Sequence, residues 1–518
     1  MRIVEIASEV HPFVKSGGLA DVSGALPLEF AAAGHAVDVF LPGYRGVLRG
    51  PWSPGPPALV LAVPVSHWTR EVRVLPVRLP GTAVRWHVLD CPPLFDRDGL
   101  YDSPWGAYAD NGERFAVLAR AALAAAEALG GGPVDIVHAH DWQAALATVY
   151  LRTLFSGRPV FAGTRSVLTL HNVAYQGRFG PDVMTVVGLD GSHFNPDELE
   201  LHGRVSYLKG GAAFADALTT VSPRYAREIQ TAELGEGLDG LLRYRARGLH
   251  GILNGIDVEA WDPATDPHLP ARYGAGDLSG KAACKRHIQW RFGLPERVEA
   301  PLLAFIGRLA EQKGIDLLAG VLPDLLVHRD VQILLLGTGN PAYHGFFTDL
   351  RGRFPRQVGI FLGFDEGLAH RIEAGADVFL MPSRYEPCGL NQMYSLRYGT
   401  VPVVRETGGL ADTVVDATPE AVREGRATGF VFRDYHPGAF RGAVDRALDA
   451  FGDAPLWRAL QRAGMRQDWS WARSAAQYLA LFESLLPPDR RAAAAPARPP
   501  KARTTSGTGS SRVHGRVS

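Results

Sequence analysis

Cysteine is nearly absent: Cys91, Cys284 and Cys388 are the only three in 518 residues. They are too few and too scattered for a disulfide framework or a zinc cluster, and they suit a reducing cytoplasm. Long apolar runs are missing as well. The N-terminus, MRIVEIASEV, carries Glu5 and Glu9 where a signal peptide needs an unbroken apolar stretch. The most apolar helical stretch, Phe115 to Leu129, contains Arg120 and Glu127 and reads as a soluble Ala-rich helix. Neither a targeting segment nor a membrane span is expected. Net charge is missing too, since 54 Lys and Arg face 54 Asp and Glu. That argues against a protein that holds nucleic acid through a general basic field.

The charge balance hides an asymmetry. Seven cations and no acid lie from Arg490 onward, which leaves 47 basic residues against 54 acidic ones in the rest. The terminal run RRAAAAPARPPKARTTSGTGSSRVHGRVS has almost no large apolar side chain to offset the entropy of ordering. Residues 487–518 are therefore expected to form a disordered basic tail. Elsewhere hydrophobic residues are plentiful, at 46% of the chain, so large cores can form without covalent staples. The length predicts two to four domains.

Strand-like and helix-like segments alternate. RIVEIAS (2–8), AVDVFLP (36–42), DIVHAH (135–140), SVLTLHN (166–172), ALTTVS (217–222) and GILNGID (251–257) read as strands, with short strands within 58–90 and a helix from Asn111 to Leu129. Residues 258–298 break the rhythm with Pro, Asp and Gly and read as a linker plus one helix. A second alternation follows: PLLAFIG (301–307), VQILLLG (331–337), VGIFLGF (358–364), DVFLMPS (377–383), PVVRET (402–407) and TGFVF (428–432), then helical segments near 436–465 and 470–486. This is the pattern of two doubly wound α/β domains, at 1–257 and 299–469. Ligands of such sheets sit at the carboxyl ends of strands, so two facing sheets predict a cleft.

The strand ends carry the chemistry. KSGGLADV (15–22) puts Lys15 and two glycines ahead of a helix, which suits either an anion site or a tight turn with a surface lysine. HAHDW (138–142) ends in two His and one Asp; an incomplete ligand set favours a polar strand end, or an Asp on sugar hydroxyls, over a metal. HNVAYQG (171–177) and NGID (254–257) offer His171 and Asn254. GRLAEQKGID (307–316) places Arg308 and Lys313 beside a helix start, an arrangement that suits a diphosphate. Glu386 and Pro387 stand between a strand end and a helix, and TGGL (407–410) is a second Gly-paired helix start with Arg405 beside it. Cations, paired glycines and one carboxylate together describe a cleft for a nucleotide diphosphate and a sugar.

Those segments, with EPCGL and RETGGLADTV, follow one another in the order and spacing of a known family. From residue 1 to about 486 the chain closely resembles the bacterial glycogen synthases and plant starch synthases. The resemblance implies two Rossmann-like domains in the GT-B arrangement, with the helix at 470–486 crossing back to the first domain. It implies a retaining hexosyltransferase that moves glucose from ADP-glucose to the non-reducing 4-hydroxyl of an α-1,4-glucan such as glycogen, with no metal and no cofactor. Glu386, His171, Arg308 and Lys313 take the catalytic positions. Lys15, Gly18, Asp141, Asn254, Phe364, Cys388, Gly389, Thr407, Gly408 and Gly409 take the substrate-binding ones. In that family Arg308 and Lys313 would neutralise the diphosphate, the amides at 407–409 would hold the distal phosphate, and Phe364 would stack on adenine. Tyr108, Asp110, Asn111 and Arg114 resemble an acceptor-side segment.

Phe364 stands where the family often has Tyr, Asn391 where it usually has Thr, and Gln143 where some members have His. Rival readings are a related transferase using UDP-glucose or making maltose 1-phosphate, and a non-catalytic glycan-binding protein. Joint retention of Lys15, Arg308, Lys313 and Glu386 opposes the last. Neither nucleic acid nor membrane is an expected partner, and a monomer would suffice.

Overall fold

The computed structural model describes residues 1–52, 54–488 and 490. Its first sheet has nine strands. Across the sheet they run Leu249–Gly251, Ala217–Thr220, Arg165–Leu170, Ile136–His140, Arg2–Ile6, Ala36–Pro42, Arg85–Asp90, Trp68–Val77 and Leu59–Val65. All neighbours are parallel except the last two pairs, where the chain 58–90 forms an antiparallel extension. The second sheet has six parallel strands, in the order Val358–Leu362, Gln332–Gly337, Leu302–Ile306, Val378–Met381, Val401–Arg405 and Phe430–Phe432. Central strands such as RIVEI are buried at every position, as a sheet covered on both faces requires.

Each sheet reverses its winding once. Arg2–Ile6 pairs with Ala36–Pro42 on one side and Ile136–His140 on the other. Leu302–Ile306 sits likewise between Gln332–Gly337 and Val378–Met381. At such a switch point neighbouring connections leave in opposite directions and open a crevice at the carboxyl ends. The chain leaving Arg2–Ile6, Ile136–His140, Leu302–Ile306 and Val378–Met381 carries KSGG, HAHDW, GRLAEQKG and EPCGL. Topology thus gathers four of the motifs in one region.

The segment 258–298 is more than a connection. Its helix, Ser279–Arg291, packs on the second sheet. Lys281 Nζ donates to the carbonyls of Ala374 (3.0 Å) and Tyr398 (3.1 Å) and to Thr400 Oγ1 (2.7 Å), while Lys285 pairs with Asp377 at 2.6 Å. Beyond the second sheet, the expected helix at 436–465 is two helices, Pro437–Phe451 and Ala454–Met465. They part at Gly452, and the Asp453 carboxylate caps Leu456 N at 3.1 Å.

The chain then returns to the first domain. Helix Trp471–Leu485 buries Tyr478 and Phe482 edge-on to Phe30 of helix Gly18–Ala32, with ring centroids 6.4 and 5.5 Å away. Phe482 also stands edge-on to His138 at 5.6 Å. The expected tail lies outside the described residues from 491 on. Within its expected span, however, Arg490 is docked: it pairs with Asp135 at 3.2 Å and donates to the Ala162 carbonyl at 2.7 Å. No helix among the described residues is long and apolar enough to cross a membrane.

Phe482 is fully buried where the returning helix meets the first domain. Truncating a buried aromatic costs about 3–5 kcal/mol. Phe482→Ala should therefore lower the urea midpoint of the unfolding transition that includes the first domain. An unchanged midpoint would show that the returning helix adds nothing to that domain's stability.

Candidate active site

In the first domain the loop after strand Arg2–Ile6 is organised by a carboxylate. Glu9, buried, accepts from Ser16 N, from Ser16 Oγ at 2.7 Å, from Gly17 N at 3.2 Å and from the Tyr101 hydroxyl at 2.6 Å. The glycine loop thus already holds an internal anion. Lys15 lies outside this arrangement and pairs with Asp21 at 2.7 Å. A Cβ on Gly18 would stand 3.9 Å from Leu390 Cδ1, so the KSGG loop lies against the EPCGL loop of the second domain.

The next two strands contribute a buried polar chain. Register sets Glu5 beside His138, and His140 follows on the same face. Glu5 accepts from His138 Nδ1 at 3.0 Å and from His140 Nε2 at 2.8 Å, and His140 Nδ1 lies 3.0 Å from His171 Nε2. Burial works against the charge on Glu5, but the two imidazoles beside it outweigh burial and hold the carboxyl down to about 2. Burial, reinforced by His138, lowers His140 to about 4. Burial also pushes His171 well below the usual imidazole range. Asp141 adopts φ 54° with its side chain buried, and its Oδ1 accepts from His171 N at 2.7 Å. Burial raises its carboxyl to about 7 despite the backbone donors of His171 and Asn172. Asp141 therefore fixes the backbone that presents His171.

The second domain supplies the charge. Lys313 Nζ donates to Glu386 Oε2 at 2.7 Å, and Ser383 Oγ donates to the same oxygen at 3.0 Å. Gly314 follows in the left-handed region, where a Cβ would come within 2.0 Å of the Pro382 carbonyl. Only glycine lets the QKG turn reach the Glu386 segment. Arg308 is exposed, its guanidinium 3.4 Å from Gln312 Oε1. The Asn391 amide donates to the Ile306 carbonyl at 2.8 Å and ties the two strand-end loops together. Cys388 is buried, and burial raises its thiol to about 12, so it is not a nucleophile. Phe364 projects an 84% exposed ring beyond its strand.

The TGG turn differs from expectation. Gly409 N donates to the Glu386 carbonyl at 3.1 Å, and Gly408 N donates at 3.0 Å to Glu228 of the first domain. Thr407 Oγ1 donates to Glu228 as well, at 3.3 Å. The amides of Gly408 and Gly409 are therefore occupied within the protein and are not offered to a phosphate. Gly409 holds the Glu386 backbone, and Gly408 ties the turn to Glu228. Among the described residues, the amides of Gly389 and Leu390 donate to no protein group, so the EPCGL turn offers open donors.

Asn254 meets the EPCGL turn from the first domain. Its backbone N–H points at the Cys388 sulfur. Its side chain lines a cavity of about 190 Å³ with Asp412, Trp469 and Arg473, and its Oδ1 is buried without a partner. Asn111 and Arg114 are buried and bonded to each other at 2.6 Å. Sequence reasoning missed Glu5, Glu9 and Glu228 as parts of the site. Glu5 did leave a signal, because a carboxylate inside an apolar parallel strand requires a partner.

The starch synthase catalytic domain family matches residues 2–244, and the glycosyl transferases group 1 family matches residues 287–453. A protein named glycogen synthase from an Anaeromyxobacter species is 53% identical over 498 residues, spanning 94% of this chain and 100% of that protein. The solved catalytic domain of starch synthase IV from Arabidopsis thaliana, bound to ADP and acarbose, superposes with a TM-score of 0.85 at 33% identity. That match covers 93% of this chain and 99% of the other. Sucrose-phosphate synthase from Thermosynechococcus elongatus shares the fold at a TM-score of 0.57 and 19% identity, covering 93% of this chain and 98% of the other.

Asp141 gives the site a pH signature. A carboxyl raised from 3.8 to about 7 favours the folded state when protonated. That contribution is complete below the unfolded pKa and is lost as pH climbs through about 7. Its size is on the order of 4 kcal/mol. Asp141→Asn should flatten the loss, gaining on the parent protein in urea midpoint between pH 5 and pH 8.5. Parallel losses in both proteins would mean that another group titrates.

Proposed function

The chain belongs to the glycogen and starch synthase family of GT-B glycosyltransferases, and from that premise we propose that it moves glucose from ADP-glucose to the non-reducing 4-hydroxyl of an α-1,4-glucan with retention, releasing ADP. It is a glucosyltransferase. The observation that carries the finer reading is the Lys313–Glu386 pair at 2.7 Å, set at the switch point of one domain, where Leu390 of the EPCGL turn lies against the KSGG loop of the other. ADP as the leaving group is supported by the ADP-bound starch synthase IV structure that this chain resembles across its length. Three buried free thiols fit a cytoplasmic enzyme.

Breaking the anomeric C–O bond builds negative charge on the diphosphate and positive charge on the sugar ring. Arg308, Lys313 and the open amides of Gly389 and Leu390 meet the first. Glu386 meets the second, as a carboxylate beside an oxocarbenium-like carbon does in glycoside chemistry. Retention by double displacement needs a second carboxylate as nucleophile. Glu9, Asp141 and Glu228 already accept from loop amides at the cleft, so none stands free for that task. Their engagement favours same-face substitution, in which the departing phosphate takes the acceptor hydroxyl proton.

A donor-by-acceptor panel reading released nucleotide tests the substrates. ADP-glucose with glycogen should turn over fastest; equal or better turnover with UDP-glucose, or transfer only to glucose 1-phosphate, would overturn the assignment. For the charges, losing one contact that matures in the transition state costs roughly 10²–10³ in rate. Glu386→Gln and Lys313→Ala should each lower kcat by about that factor and change KM for ADP-glucose far less. A folded Glu386→Gln protein with near-full kcat would remove the carboxylate from the chemistry.

A further inference from the structure

Behind His171 runs a closed line of hydrogen bonds whose protons can be assigned. Glu5 is fully buried and, when ionised, can only accept. It takes one proton from His138 Nδ1 and one from His140 Nε2. His138 then has a bare Nε2, which accepts from Thr169 Oγ1 at 2.6 Å, and Thr169 accepts in turn from Thr219 Oγ1 at 2.6 Å. A neutral His140 with its proton on Nε2 has a bare Nδ1. His171 Nε2, 3.0 Å away, must therefore be the donor between them. A neutral His171 with its proton on Nε2 keeps Nδ1 bare. Among the described residues that Nδ1 has no protein partner, and it is not one of the buried orphaned atoms, so it is open at the carboxyl end of its strand. With Glu5 ionised and the three imidazoles neutral, every bond in the chain has one donor and one acceptor, and His171 Nδ1 alone is left over.

We propose that Glu5 and His140 are positioning residues for the transfer reaction: they fix His171 as the tautomer whose open nitrogen, Nδ1, is a hydrogen-bond acceptor. Which nitrogen of a histidine carries the proton is set by the bond the other nitrogen makes. Here the decision is made by a carboxylate two residues away along the bonded chain. The depressed His140 and His171 agree with the neutral assignment. The consequence is chemical selectivity. A bare nitrogen receives a hydroxyl of a neutral sugar and repels an acceptor-only group such as a carboxylate or phosphate oxygen. That a sugar hydroxyl is the group received rests on the function proposed above; the tautomer itself does not.

The test reads the tautomer directly, on the free protein, by long-range proton–nitrogen NMR of ring-labelled histidine. His171→Gln serves only to assign the signal. The parent protein should show a bare Nδ1 and a protonated Nε2 at His171. In Glu5→Gln the new amide can donate to His140 Nε2 and reverse the line, so a protonated Nδ1 should appear at His171. Turnover should fall with it: kcat/KM for ADP-glucose should drop by ~10–100-fold, by analogy with the cost of losing an outer partner of a metal-bound histidine. A merely structural Glu5 would lower the unfolding midpoint and leave the His171 tautomer as it was. A protonated Nδ1 in the parent protein, an unchanged tautomer in the variant, or a reversed tautomer with unchanged kinetics would each overturn the proposal. Should Glu5→Gln fail to fold, the parent spectrum decides alone. Failure of the ADP-glucose assignment would appear in the donor panel and would leave this spectrum untouched.

Discussion

The cleft depends on carboxylates that accept from loop amides. A loop at a strand end turns too sharply to satisfy its own backbone, and buried N–H groups left unpaired are costly. Glu9 satisfies Ser16 and Gly17, Asp141 satisfies His171, and Glu228 satisfies Gly408. Glu9 folds its own loop, whereas Asp141 and Glu228 also fix distances between separate segments. Glu228 does this across the two domains, and Arg224 beside it pairs with its carboxylate at 3.0 Å. The turns look poised for phosphate, yet several of their donors are committed to the protein itself.

That commitment shapes the electrostatics. Lys15 is paired with Asp21 and Lys313 with Glu386, while Arg308 is turned to solvent. The resting cleft is largely compensated within the protein. A diphosphate therefore enters competition with existing partners, and the cations act most strongly where its charge is greatest, as the glycosidic bond breaks. His140 and His171 add no positive charge, since burial keeps them neutral. The cations Arg308 and Lys313 lie on the second domain, and the histidine chain on the first.

The two halves are joined behind the cleft by more than one strand of chain. Ser222 Oγ donates to the Pro387 carbonyl at 2.6 Å, Arg224 N to Asp412 at 2.7 Å, and Ser474 Oγ to the Leu253 carbonyl at 2.6 Å. The returning helix adds its aromatic face to the first domain's core. The cavity beside Asn254 lies among these contacts, lined by residues of both domains and of the returning segment. Motion between the domains must be accommodated around this junction, because it carries the bonds that cross between them.

How much of this could be read from the chain alone differs by level. The alternation of apolar strands with helices is local, so the two α/β domains and most strand positions were legible. Motif order was enough to reveal the family, because Lys313, Glu386 and the glycine pairs recur at characteristic spacing. What stayed hidden was which donor meets which acceptor. Glu5 looked like an interruption in an apolar run, and only parallel register with His138 makes it the start of a hydrogen-bonded chain. The TGG turn read as an anion loop, but Glu228, some 180 residues earlier in sequence, takes the Gly408 amide. Asn254 lay in a motif at a strand end, yet packing turned its side chain into the cavity behind the cleft. Sequence determined the elements and the chemical groups, since these follow from local periodicity and residue type. Partnership was decided by the tertiary structure, because a buried polar group bonds to whatever the topology sets beside it, at any distance along the chain.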